Sequence, residues 1–94
     1  MKMKTRKIRK FNINVPEDVE SFFRYIYRDF ECMIHPDDDF SEVIDIQTEN
    51  PFFTKEEVKV LNSYMDRCFR VCQFHHNDIY EIAFNIVKEL YGKH

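Results

Sequence analysis

The stretch TKEEVKVLNSYMDRCFRVCQFHHNDIYEIAFNIVKELY, residues 54–91, decides the fold, because it predicts two helices joined by a short polar turn. It opens with Thr54 and Glu57 at the spacing of a capping box, in which each side chain accepts a hydrogen bond from a free backbone N–H at a helix start. Apolar residues then recur at helical spacing to about residue 73. Asn77 or Asp78 is placed to cap a further helix over 78–91. The stretch therefore predicts an αα-hairpin.

An earlier helix is predicted over residues 16–31. Pro16 suits the first turn of a helix, where its missing N–H costs nothing, and the acids Glu17 and Asp18 complement the positive end of the helix dipole. The apolar side chains that follow share one helical face: Val19, Phe22, Phe23, Ile26, Tyr27 and Phe30. We therefore predict a mainly α fold, a small three-helix domain in which helices two and three form the αα-hairpin.

One short β-pair is the only β-structure that the sequence suggests. FNINV, residues 11–15, alternates apolar and polar side chains up to Pro16, and a second apolar run lies within residues 43–47. Residues 8–15 could pair with residues 43–47 across a two-stranded ladder. A single glycine and three prolines leave few residues for further hairpin turns, which disfavours a sandwich or a barrel.

Charge divides the chain of 94 residues at residue 10. The basic residues before that point precede every acid: Lys2, Lys4, Arg6, Lys7, Arg9 and Lys10. The rest of the chain holds all 17 acids and the other bases, and residues 29–49 contain acids but neither lysine nor arginine. We predict a basic arm over 1–10 and a single small helical domain over 11–94. The acidic segment 29–49 is the favoured partner of that arm.

Nucleic-acid binding through the basic arm is a first alternative function. Lysine and arginine neutralise phosphates, and the affinity of such contacts falls as salt rises. The net charge of −3 opposes this alternative, since the acidic remainder of the chain repels a nucleic-acid backbone. Nucleic acid is therefore ranked below a protein partner.

Metal binding through cysteine and histidine is a second alternative. Cys32 with His35, and Cys68 and Cys72 with His75 and His76, have spacings of three or four residues that can place ligands on one helical face. However, Cys68 and Cys72 fall on the apolar stripe of the second helix, where buried thiols are ordinary core residues. We therefore assign no metal ligand and no cofactor.

Several absences narrow the class of protein that we expect. The three cysteines lack the paired spacing of a secreted framework, and we find neither an export signal nor an apolar run long enough to span a membrane. Glycine-rich phosphate loops and a nucleophile elbow are also missing, so we predict neither enzymatic activity nor a small-molecule substrate. The expected protein is soluble, cytoplasmic and not bound to membranes.

The third helix carries two apolar stripes, and the second of them is the candidate site. The first stripe is made of aliphatic side chains: Ile79, Ile82, Ala83, Ile86 and Leu90. The second is mainly aromatic: Tyr80, Phe84, Val87 and Tyr91. Such a helix needs cover on two sides, from its own core or from another molecule, and aromatic residues are enriched in interface cores. We predict a non-enzymatic protein-interaction or regulatory module whose partner is a protein or a second copy in a homodimer.

Overall fold

The computed structural model of the chain describes residues 8–45 and 47–92. In this part the protein is a mainly α domain with three helices: α1 (Pro16–Arg24), α2 (Lys55–Phe74) and α3 (Ile79–Tyr91). A π-helical turn, Tyr25–Asp29, follows α1, and a 3-10 turn, Phe40–Glu42, lies in the connection to α2. Helix α1 packs against both α2 and α3. The predicted mainly α class with three helices is confirmed.

Side-chain oxygens define the starts of the second and third helices. The Thr54 Oγ1 accepts the Glu57 N–H at 3.1 Å, and the Glu57 Oε1 accepts the Thr54 N–H at 2.8 Å, which completes the predicted capping box. At α3, the Asp78 Oδ1 accepts the N–H groups of Tyr80 and Glu81 at 2.9 and 3.3 Å. Both predicted starts are confirmed, and Asp78 rather than Asn77 is the cap.

The predicted first helix, residues 16–31, is wrong at its C-terminal end. Tyr25, Ile26 and Tyr27 are all buried, with exposed fractions of 7%, 0% and 2%. Different segments cover them, since the Tyr25 hydroxyl accepts the Arg9 N–H at 3.0 Å and the Tyr27 hydroxyl donates to the Ile34 carbonyl at 2.9 Å. The helix is π-helical from Tyr25 to Asp29, and the chain leaves it at Glu31, whose φ of 52° is left-handed.

The predicted pairing of residues 8–15 with residues 43–47 is also wrong in the part of the chain that the structure describes, which excludes Ile46 and contains no β-strand. Ile44 instead forms an isolated antiparallel bridge with Pro51. The N–H groups of Arg9 and Phe11 are donated to the tyrosine hydroxyls of Tyr25 and Tyr64 at 3.0 and 3.2 Å. These side chains occupy the hydrogen-bonding positions that a paired strand would need.

Aromatic rings form the centre of the core. Phe22 is fully buried and its ring lies 5.6 to 6.4 Å, between centroids, from four other rings: Phe11, Phe23, Phe40 and Tyr64. Phe40 and Phe53 attach the irregular connection between α1 and α2 to this centre. Both are buried, the Phe40 ring lies 6.4 Å from the Phe22 ring, and the Phe53 ring lies 5.6 Å from the Phe40 ring. The irregular connection is therefore packed onto the helices through its aromatic residues.

The division of the chain at residue 10 stays a prediction, since residues 1–7, 46, 93 and 94 lie outside the described part. Within that part, no helix has the length and apolar character that crossing a bilayer requires.

One ion pair connects the first and third helices. The Arg24 guanidinium donates to both carboxylate oxygens of Glu89, from Nε at 2.6 Å and from Nη2 at 3.0 Å. These hydrogen bonds, followed by the attraction of the Arg24 charge, lower the pKa of Glu89. The pair therefore favours the folded state when Glu89 is ionised.

The first prediction concerns this pair and acidic pH. Because the pKa of Glu89 is lower in the folded state, its stabilising effect is present above the ordinary glutamate pKa of about 4.3 and is lost as pH falls through the folded value. We expect Glu89→Gln to be less stable than the wild type at pH 7 and equally stable well below pH 4, by urea denaturation at a series of pH values. Glu42→Gln, whose carboxylate has no partner among the described residues, is the control. A deficit in Glu89→Gln that does not change with pH would contradict this assignment.

Candidate protein-interaction surface

The four predicted interface residues lie on one side of α3 and are called the aromatic face: Tyr80, Phe84, Val87 and Tyr91. The exposed fractions are 43% for Tyr80, 61% for Phe84 and 49% for Tyr91. Val87 is half-buried and packs against the core. The aliphatic stripe of the same helix faces inward, since Ile79, Ala83 and Ile86 are buried. The three aromatic residues are therefore not needed to fill the interior, although two of them make specific polar contacts.

Hydrogen bonds hold the two tyrosines at the ends of the aromatic face. The Tyr80 hydroxyl donates to the Asp37 carboxylate at 2.6 Å, and the Tyr91 hydroxyl donates to the backbone carbonyl of Tyr27 at 2.5 Å. The His35 ring also lies against Tyr80, with 5.5 Å between the centroids. Because these contacts already restrict both rings, a partner that docks on them loses little side-chain entropy.

The electrostatics of Tyr80 keep it neutral. Its hydrogen bond to Asp37 raises the pKa of the phenol, and burial and the nearby carboxylate charges of Asp37 and Asp78 act in the same direction. An ordinary tyrosine already titrates near pH 10, so Tyr80 is protonated at physiological pH. Tyr80 thus presents an uncharged ring at its end of the aromatic face.

Two charged residues border the exposed ring at the centre of the face. The Lys88 Nζ lies 5.5 Å from the centroid of the Phe84 ring, within the range of a cation–π contact. Glu81 is exposed on the same helix, seven positions before Lys88. Phe84 is therefore the apolar centre of a helix surface with one acid and one base along its margin.

Sequence periodicity alone missed the residues that surround the face. Asp37 and Tyr27 contact it through hydrogen bonds that span 43 and 64 positions of the chain, and no local pattern signals contacts of that length. Met33, 57% exposed, lies in the segment between these two contacts. Among the described residues, Phe74 is the most exposed large apolar side chain, at 79%, and it lies at the end of α2 against His75.

The residues proposed for nucleic-acid binding are only partly described. Lys2, Lys4, Arg6 and Lys7 lie outside the described residues. The Arg9 guanidinium carbon is 4.9 Å from the Phe11 ring centroid, and Lys10 is exposed. In the described part of the chain neither Arg9 nor Lys10 pairs with the acidic segment 29–49, so the pairing of the arm with that segment stays a prediction, as does nucleic-acid binding.

The candidate metal ligands do not converge in the part of the chain that the structure describes. There, no group of three or more histidine, cysteine or acidic side chains is placed to hold a metal ion. Cys32, Cys68 and Cys72 are buried and free, and burial raises the pKa of each thiol. Since the thiolate is the form that binds metal and attacks substrates, burial makes these cysteines poor ligands and poor nucleophiles.

An open cavity of about 270 Å³ lies between residues 11–14 and α2. Arg67 lines it and donates from Nε to the Ile13 carbonyl at 2.8 Å and from Nη2 to the Asn14 side chain at 3.1 Å. The guanidinium therefore attaches the extended N-terminal segment to α2. This structural role accounts for an arginine in the cavity wall, and no ligand is needed to explain it.

Comparison with protein-family models, with curated proteins and with solved structures gives no match. Inferences about function therefore start from the geometry of the chain itself.

Proposed function

We propose that this protein is a small non-enzymatic interaction module that self-associates through the aromatic face of α3. The observation that carries the proposal is the exposure of Phe84, 61%, between two tyrosines that are themselves 43% and 49% exposed. Concentrated apolar surface of this kind on a small domain commonly marks a binding site. Aromatic side chains also bring large contact area with few rotatable bonds.

The size of the face sets the strength of the association. A fully buried aromatic side chain covers about 150–250 Å², so three that are about half exposed offer on the order of 300 Å². Stable complexes bury about 800 Å² from each partner. We therefore propose a weak, reversible dimer with a dissociation constant between about 10 µM and 1 mM.

The buried thiols support the proposed cellular setting. Cys32, Cys68 and Cys72 are free in the structure, and each lies within the hydrophobic core. A reducing compartment preserves such thiols, which agrees with the cytoplasmic location that the cysteine count predicts.

The second prediction tests which surface mediates association. We expect the backbone amide signals of residues 80–91 to shift as the protein is diluted from about 1 mM to about 20 µM, because these amides change environment when the dimer separates. The signals of residues 55–60, at the start of α2, provide the internal control. The measurement is a series of two-dimensional ¹H–¹⁵N spectra. Shifts confined to another surface, such as the surroundings of Phe74, would overturn the proposed site.

A further inference from the structure

Glu81 and Lys88 border the aromatic face on the same flank. They are seven residues apart, which is about two helical turns, so both side chains lie on the same side of the aromatic face. Their Cα atoms are separated by about 10 Å along the helix axis, too far for them to pair with each other. Among the described residues, neither forms an ion pair within the chain. Each charge is thus available to a molecule that lies along α3.

We infer that two copies of the chain pair through α3 in antiparallel orientation, with Glu81 of each copy opposite Lys88 of the other. This inference rests on the proposed self-association. In an antiparallel pair with two-fold symmetry, each flank meets the same flank of the second helix in reversed order. An acid and a base at equivalent positions therefore face each other twice. A parallel pair would instead place this flank beside the opposite flank of the second helix, which carries Ala83 and Leu90, so neither charge would meet a charged partner.

The spacing of the aromatic face fits the same arrangement. Tyr80, Phe84, Val87 and Tyr91 follow intervals of four, three and four residues, the spacing of the a and d positions in a helix-pair seam. Full antiparallel overlap places Phe84 opposite Val87 of the second copy and Tyr80 opposite its Tyr91. In that register Lys88 and the opposite Glu81 differ by about 3 Å along the axis, which long side chains readily span.

The two ion pairs act mainly on orientation and specificity. Exposed pairs at the rim of an interface add little affinity, but only the antiparallel arrangement forms them, so they favour it over a parallel pair. Lys88 leaves its contact with the exposed Phe84 ring when it meets Glu81 of the second copy. The aromatic face then supplies the contact area, and the charges of Glu81 and Lys88 favour the antiparallel orientation of the second copy.

The third prediction uses charge reversal to test this arrangement. Glu81→Lys and Lys88→Glu each place like charges at both ion pairs, so each variant alone should dimerise about tenfold more weakly than the wild type. An equimolar mixture of the two variants recovers both opposite-charge pairs and should associate as tightly as the wild type. The double variant, carrying both substitutions, should do the same. Sedimentation equilibrium measures all four, and Asp66→Lys, an exposed charge reversal on α2, is the control that should change nothing.

The outcomes separate the orientation from the self-association. Single variants that dimerise like the wild type would overturn the antiparallel arrangement, and so would a mixture that stays as weak as its components. Unchanged single variants are the result that a parallel pair predicts, because in that arrangement these charges do not meet. If wild-type protein does not self-associate at all, the proposed function fails with it.

Discussion

Replacing Phe22 by alanine is expected to lower the free energy of unfolding by about 3–5 kcal/mol. The side chain is fully buried, and its ring contacts rings from the N-terminal segment, from α1, from the irregular connection and from α2. Removing it leaves a cavity between elements that these rings hold together. Since a domain of this size is stable by only about 5–15 kcal/mol, the loss takes a large share of the total.

The measurement is chemical denaturation followed by circular dichroism, with Phe74→Ala as the matched control. Phe74 is 79% exposed, so the same substitution should change the free energy of unfolding by less than about 0.5 kcal/mol. A loss below about 1 kcal/mol in Phe22→Ala would show that the ring cluster does not organise the core.

Replacing Phe84 by aspartate is expected to abolish self-association while leaving the fold intact. In the proposed dimer the substitution removes the central apolar contact from both copies and brings two carboxylates into the interface. A central aromatic residue contributes about 2 kcal/mol or more, so the two copies together account for about a thousandfold rise in the dissociation constant. The monomer is little affected, because Phe84 is 61% exposed and the new carboxylate lies one turn before Lys88.

Phe74→Asp is the control for this experiment, since it makes the same change at an exposed aromatic residue outside the aromatic face. It should leave self-association unchanged in sedimentation velocity runs at matched concentrations. Equal loss of association in both variants would assign the effect to general surface hydrophobicity. Unchanged association in Phe84→Asp would remove α3 from the interface.

Local signals predicted the helices well. The capping box at Thr54 and the cap at Asp78 are encoded within four residues of sequence, and both helices begin where those signals place them. The end of α1 was not predictable in this way, because Tyr25 and Tyr27 are fixed there by contacts with Arg9 and Ile34, which lie outside the helix. Those contacts depend on how these segments pack around the helix.

The irregular connection between α1 and α2 shows a further limit of local patterns. Its many acids predicted a partner for the basic arm, which stays a prediction, and they did not indicate that Phe40 and Phe53 are buried in the core. Ile44 bridges Pro51, which follows it closely in sequence, rather than the N-terminal segment. Tertiary packing decides which backbone segment pairs with such a stretch, and the alternation of apolar and polar residues does not reveal that packing.

The sequence predicted which residues of the candidate site share one side of the helix, but it did not predict which of them are exposed. Helical spacing grouped Tyr80, Phe84, Val87 and Tyr91, yet the same spacing was compatible with burial inside the monomer. Only the structure shows that Val87 packs against the core while Phe84 extends into solvent. The hydrogen bonds from Tyr80 and Tyr91 to distant parts of the chain likewise required the fold.

Sedimentation equilibrium of the wild-type protein tests the central claim most directly. If the aromatic face of α3 mediates self-association, the weight-average mass should rise from 11.6 kDa in dilute solution towards twice that value as the concentration approaches about 1 mM. Phe84→Asp measured alongside should stay at the monomer mass. A wild-type mass that remains at 11.6 kDa over the whole range would contradict the account.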